Sequence, residues 1–277
     1  MSIRFPVLCG LALILGASVC AQQPDKLRPN RRAEKETAKP NKEKSGSWKE
    51  RRFGKIKIRV RQDRPGSSVI RGALPAESKV PEMAERVFEA LEIFPPAFLE
   101  KSRIRYVTFL DDLTLRKVPA GGVASGDTIY LKTTADSWTV YHELFHTFDP
   151  SLQINQNRKW MSFNDRNFVY TGSGFISMKT TKFRRKKRQD NLESGRFDRD
   201  FVSRYAMSND VEDRAETFAS MLEEGPAFLK RAEASPVLKK KMEYIIDLTG
   251  KKRLLGKDFW DRHFHPEKKA PEPAPAL

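Results

Sequence analysis

Apolar and basic residues alternate in IKIRV at 56–60, as they do in a strand with one face in the core and one in water. The period then lengthens. In PEMAERVFEALEIF at 81–94, Ala84, Val87, Phe88, Leu91 and Phe94 fall on one helical face, and Pro81 suits the first turn. IRYVTFL at 104–110 is a continuous apolar run of strand length, and GGVASGDTIYLKTT reads as a glycine-rich loop with a second strand near 128–132. Helical spacing returns over 136–148, where Trp138, Tyr141, Leu144, Phe145 and Phe148 form a stripe. The pattern lapses after Pro150, through WMSFNDRNFVYTGSG and a basic loop, to 188. It resumes in SNDVEDRAETFASMLEEGP at 208–226, with Val211, Ala215, Phe218, Ala219 and Leu222 as the packing face. Asn209 and Glu212 are placed for a capping box, and Gly225-Pro226 for a stop. Ala215 and Ala219 are small enough to admit another helix closely. A further helix over 235–250 has Ser235 as cap, Pro236 first and Gly250 after its end. Strands come early and helices late, which predicts an α+β fold in two lobes over 55–265.

The ends of the chain follow other patterns. MSIRFPVLCGLALILGASVCAQQ has Arg4, an apolar run from 5 to 15, small residues, and a site of the A-x-A type at Val19-Cys20-Ala21. This reads as an export leader, 1–21, cut near Ala21, and places the chain outside the cell or in the periplasm. The apolar run is short for a transmembrane helix. Acylation at Cys20 as a lipoprotein is the competing reading, and bulky Val19 fits it poorly. Cys9 and Cys20 are the only cysteines of the chain, so the cut form has neither disulfide nor thiolate, and its chemistry falls to His, Asp, Glu, Ser or Tyr. Residues 22–54 and the Pro-Ala tail 266–277 carry too few apolar groups to offset chain entropy and read as disordered. The net charge of +16 gathers in 26–55 and in KFRRKKR at 182–188. Such runs are solvated segments, or they adhere to an acidic surface polymer. No alternation of aromatic and basic residues suggests nucleic acid.

The candidate chemistry sits in TVYHELFHTFD at 139–149, which holds His142, Glu143 and His146 as H-E-x-x-H in a chain with four histidines. Histidines four apart on a helix project side by side and can grip one Zn2+, and the Glu between them reaches the neighbouring edge. A third ligand is needed. No Gly and third His follow at 147–152, and His263 and His265 stand beside the tail. The cluster Glu212, Asp213 and Glu216 is the better source, with Glu212 and Glu216 one turn apart. Its competing reading is a solvated acidic face.

HELFHTFD together with SRYAMSNDVEDRAETFA resembles the gluzincin metallopeptidases, in particular the group around the anthrax lethal factor catalytic domain, and zinc-binding metallopeptidases of bacterial surfaces. The matches are an Asp three residues after the second His (Asp149), an E-x-x-A-E (Glu212 and Glu216), and a Tyr seven residues before it (Tyr205). Asp213 departs from that pattern, where an apolar residue is expected, and the basic insertion and first strand have no counterpart. The resemblance implies a zincin-like fold, with a small mixed sheet and the active-site helix in the N-terminal lobe and helices in the C-terminal one. It implies Zn2+ held by His142, His146 and Glu212, with Glu143 as general base and Tyr205 as donor to the oxyanion; Tyr170 is the reserve donor. Glu216 or Asp149 would accept the second ring N–H of a ligand histidine. The strand before the active-site helix would be a sheet edge that pairs with an extended peptide. The function expected is a secreted zinc metalloendopeptidase acting on a peptide or protein. A non-catalytic basic binding protein on the same scaffold and a zinc amidohydrolase of cell-wall polymer stay open beside it.

Overall fold

The computed structural model describes residues 18–20, 48–63, 67–149, 158–172, 194–250 and 254–268. The run 182–188, most of the leader and basic segment, and the tail beyond 268 lie outside the described residues.

The spine of the sheet is β5 (Tyr106–Leu115). Its first half runs parallel to β3 (Ile56–Val60) on one side and to β8 (Thr128–Lys132) on the other. Its second half pairs antiparallel with β4 (Ile70–Ala73) and β6 (Val118–Pro119). Outside β3 lies β2 (Glu50–Phe53), and outside β8 lie β7 (Gly122–Ser125) and then β1 (Ser18–Cys20), all antiparallel to their neighbours. The path is β1-β7-β8-β5-β3-β2, a mixed sheet.

Helices α1 (Val80–Glu92) and α2 (Pro96–Ser102) precede β5, and α3 (Ser137–Phe148) follows β8. After the one-turn α4 (Arg158–Met161) come α5 (Asp210–Glu224), α6 (Pro226–Ala234), α7 (Pro236–Gly250) and α8 (Lys257–Phe264). One apolar cluster runs from Phe53 and Ile58 through α1, α3 and α5 to Trp260 and Phe264. Its centre is aromatic: the Phe218 ring lies 4.7 Å from Phe145, 6.0 Å from Phe98 and from Trp260, and 6.2 Å from Phe94.

Four expectations change. The folded region begins before 55, because β2 falls inside the stretch read as disordered. Arg51 is the reason: it pairs with Glu85 at 2.7 Å and Glu92 at 2.9 Å and covers the Phe88 ring at 4.9 Å, fastening β2 to α1. The glycine-rich stretch is a strand, not a loop; β7 and β8 form a hairpin about Gly126, whose φ of 63° suits glycine. The strand before α3 is consequently interior, and β7 lies between it and β1. Finally, Gly225-Pro226 ends one helix and begins the next, so the stop read at 226 hides α6.

Phe218→Ala is expected to cost about 3–5 kcal/mol, the range for emptying a large aromatic site in a packed core, measured by denaturant unfolding of the metal-free chain.

Candidate metal centre

Helix α3 starts where the Asp136 side chain accepts from the Thr139 backbone N–H at 2.9 Å and from its hydroxyl at 2.8 Å. The helix buries the predicted stripe and, beside it, both histidines. Their rings lie 4.6 Å apart, with Nε2 atoms separated by 2.8 Å. Helix α5 starts at Asn209, whose side chain accepts from the N–H groups of Val211 and Glu212. Only half of the expected capping box forms, because the Glu212 carboxylate turns to the histidines instead. Its Oε2 lies 3.1 Å from His142 Nε2 and 3.3 Å from His146 Nε2. Ala215 and Ala219 are fully buried on the same helix.

These three side chains, all buried, form a group able to hold one metal ion. Donors of a tetrahedral zinc site stand about 3.3 Å apart, given bonds of about 2.0–2.1 Å, so the spacing fits with little movement. The donor chemistry fits as well: two imidazoles and one carboxylate leave a fourth position for a water or substrate oxygen. Glu216 Oε1 lies 2.9 Å from His142 Nδ1. Accepting the proton there leaves the lone pair on Nε2, which faces the group. Glu216 is itself held by the Trp138 indole N–H at 3.2 Å and the Ser203 hydroxyl at 2.6 Å.

The electrostatics describe a place for positive charge. Burial favours neutral His142, yet the bonds to Glu212 and Glu216 outweigh it and raise its pKa to about 10. Burial lowers His146. Burial would raise Glu212, but the charge of His146 and the hydrogen bonds from both histidines hold it well below the usual carboxylate range. Glu143 differs. Burial is the main cause of its rise to about 8, opposed by the charge of His142 and by the backbone N–H of Ala124.

The other expected residues are distributed around this group. The half-buried Tyr205 ring lies 6.1 Å from the His142 ring. Tyr170, the reserve donor, gives its hydroxyl to Asp213 at 2.7 Å. Asp149 accepts from Arg214 Nε at 2.6 Å, although its charge also counteracts the burial of His146. The cluster is no solvated face: Glu212, Asp213 and Glu216 are all buried. Stretch 257–264 is helical, with His263 stacked on Phe259 at 4.7 Å, and neither His263 nor His265 belongs to the metal group.

No family model matches the chain, and no curated protein matches it. Among solved structures, the chain is similar to a "putative zinc-binding metallo-peptidase" from Bacteroides caccae ATCC 43185. That likeness has a TM-score of 0.45 and 15% identity, covering 74% of this chain and 84% of the other. It is too distant to assign a family or an activity.

Sequence reading missed the supports behind the ligands. Arg214 also donates to Asp210 at 2.9 Å, so one buried guanidinium ties the end of α3 to the start of α5. Asp213 accepts from Trp160 at 2.8 Å and pairs with the buried Lys241 of α7 at 2.9 Å. The i,i+4 spacing of Asp210 and Arg214 was a visible signal; nothing local marked Lys241, the third of three successive lysines.

Two outcomes follow from this geometry. Arg214→Met removes the buried guanidinium that Asp149 and Asp210 share and is expected to cost about 3–5 kcal/mol in chemical denaturation. Zinc must displace the His142 proton, so at pH 7 binding is expected to release on the order of one proton per ion, measured by calorimetry in buffers of different ionisation enthalpy. In the metal-free chain, this raised histidine stabilises fully below about pH 6.5 and the contribution is lost as pH rises through about 10.

Proposed function

We propose that the chain is a zinc-dependent metallopeptidase of the gluzincin kind on a zincin-like fold, exported after a cut near Ala21. The convergence of His142 and His146 from α3 with Glu212 from α5, beside a buried Glu143, is the observation that supports it. No helix among the described residues is long and apolar enough to cross a membrane.

His142, His146 and Glu212 would hold the ion, which when bound supplies a polarising Lewis acid and a water of lowered pKa. Glu143 takes the proton from the attacking water and passes it to the leaving amine nitrogen. Tyr205 donates its hydroxyl to the carbonyl oxygen as charge develops there, a contact typically worth about 2.7–4 kcal/mol. Glu216 keeps the proton on His142 Nδ1, held in turn by Trp138 and Ser203. In a chain cut after Ala21, β1 leaves with the leader. The open edge is then β7, beside α3, and an extended peptide can pair with it by strand addition.

Glu143→Gln is expected to keep zinc at the wild-type stoichiometry and lose about 10²–10⁴-fold in kcat against a peptide library. Glu212→Gln is expected to lose far more metal affinity than Glu216→Gln, whose loss should be about 10–100-fold. A chain that binds zinc but cleaves no peptide, or whose cleavage survives Glu143→Gln, defeats the peptidase reading. A chain that binds no zinc defeats the metal site.

A further inference from the structure

We infer that Gly122 is a positioning residue for Glu143, so that strand β7 decides where the candidate base stands. This rests on the reading of Glu143 as that base. A β-carbon placed on Gly122 would lie 2.6 Å from Glu143 Cγ, 2.7 Å from Oε1 and 2.9 Å from Cδ. Comfortable contact between non-bonded carbons is about 3.5–4.0 Å, so the side chain of Glu143 fills the space that any other residue at 122 would need.

The backbone does not explain the glycine. Gly122 is not among the residues with positive φ, and it pairs in regular register with Leu131 on β8. A strand interior is a place where glycine is a weak choice, both for its lost entropy and for its missing side chain. What requires glycine here is the approach of α3, which brings Glu143 onto the β7 backbone.

The way Glu143 is held makes that wall consequential. The backbone N–H of Ala124, also on β7, favours the ionised carboxylate, and Gly122 packs against the side chain, so β7 meets Glu143 at two points. The overlap begins at Cγ, so turning the carboxylate group alone gives no relief. Relief takes a new χ1 for Glu143 or a shift of β7 against α3, and either moves the carboxylate relative to the histidines. The ligand set is independent of this contact, because His142, His146 and Glu212 meet through α3 and α5. Gly122 therefore acts on the base and not on the metal.

The test is Gly122→Ala in the full zinc-loaded chain and again in a Glu143→Ala background. In the first, zinc stoichiometry and KM are expected to hold while kcat falls about 100-fold, the scale of a catalytic group misplaced by about 1 Å. The second readout needs no activity. Gly122→Ala should lower Tm when Glu143 is present and leave it level or higher when Glu143 is alanine, because alanine suits a strand better than glycine once the space is free. An unchanged kcat overturns the inference. So does an equal fall in Tm in both backgrounds, which would make the glycine a need of the strand alone, and so does loss of zinc in the single variant. If the unsubstituted chain cleaves no peptide, the peptidase reading fails, and the comparison of melting temperatures still decides whether Gly122 makes room for Glu143.

Discussion

The ionisable side chains at the contact of α3 and α5 have left water, and each is tolerable only because an opposite charge or a donor stands beside it. His142 lies between Glu212 and Glu216, and Glu216 between His142, Trp138 and Ser203. Such a set can exist only where the two helices approach closely and in one register. Ala215 and Ala219 permit the approach, and the stack of Phe145, Phe98 and Phe94 on Phe218 fixes it from the apolar side. At Glu143 burial outweighs the charge of His142 and the N–H of Ala124, so its pKa rises where that of Glu212 falls.

Helix α5 is buried almost all round, although nine of its fifteen residues are polar. Its chemistry is divided by direction. Glu212 and Glu216 face α3, Arg214 reaches back to Asp149, and Asp213 meets Lys241, Trp160 and Tyr170. The Asp213 set draws in α7 and the stretch around 160–170. An ion pair of this kind adds little net stability over apolar packing, but losing one partner is costly, so it specifies the orientation of the helix more than it strengthens the fold.

The elements with a clear apolar period were legible: β3, α1, α3, α5 and α7 lie close to where the spacing puts them. The failures were local too. Gly122 read as part of a loop because glycine is a poor strand former, whereas here its lack of a side chain is what the packing uses. Arg51 read as part of a solvated basic segment, since nothing in its neighbourhood shows that Glu85, Glu92 and Phe88 will meet it. Tyr205 was the first choice as hydroxyl donor and Tyr170 the reserve; no local pattern showed that Tyr170 would give its hydroxyl to Asp213.

By itself the sequence determined the histidine pair, because positions four apart on a helix share a face whatever the rest of the chain does. It also set out the carboxylates one turn apart on a second helix, and the caps that begin both helices. Only the tertiary structure decided that Glu212 is the carboxylate that reaches both Nε2 atoms and that Asp149 accepts from Arg214. It also decided that Gly122 stands against Glu143. Each of these is a contact between segments far apart in sequence, and local periodicity holds no record of which way two packed elements face one another.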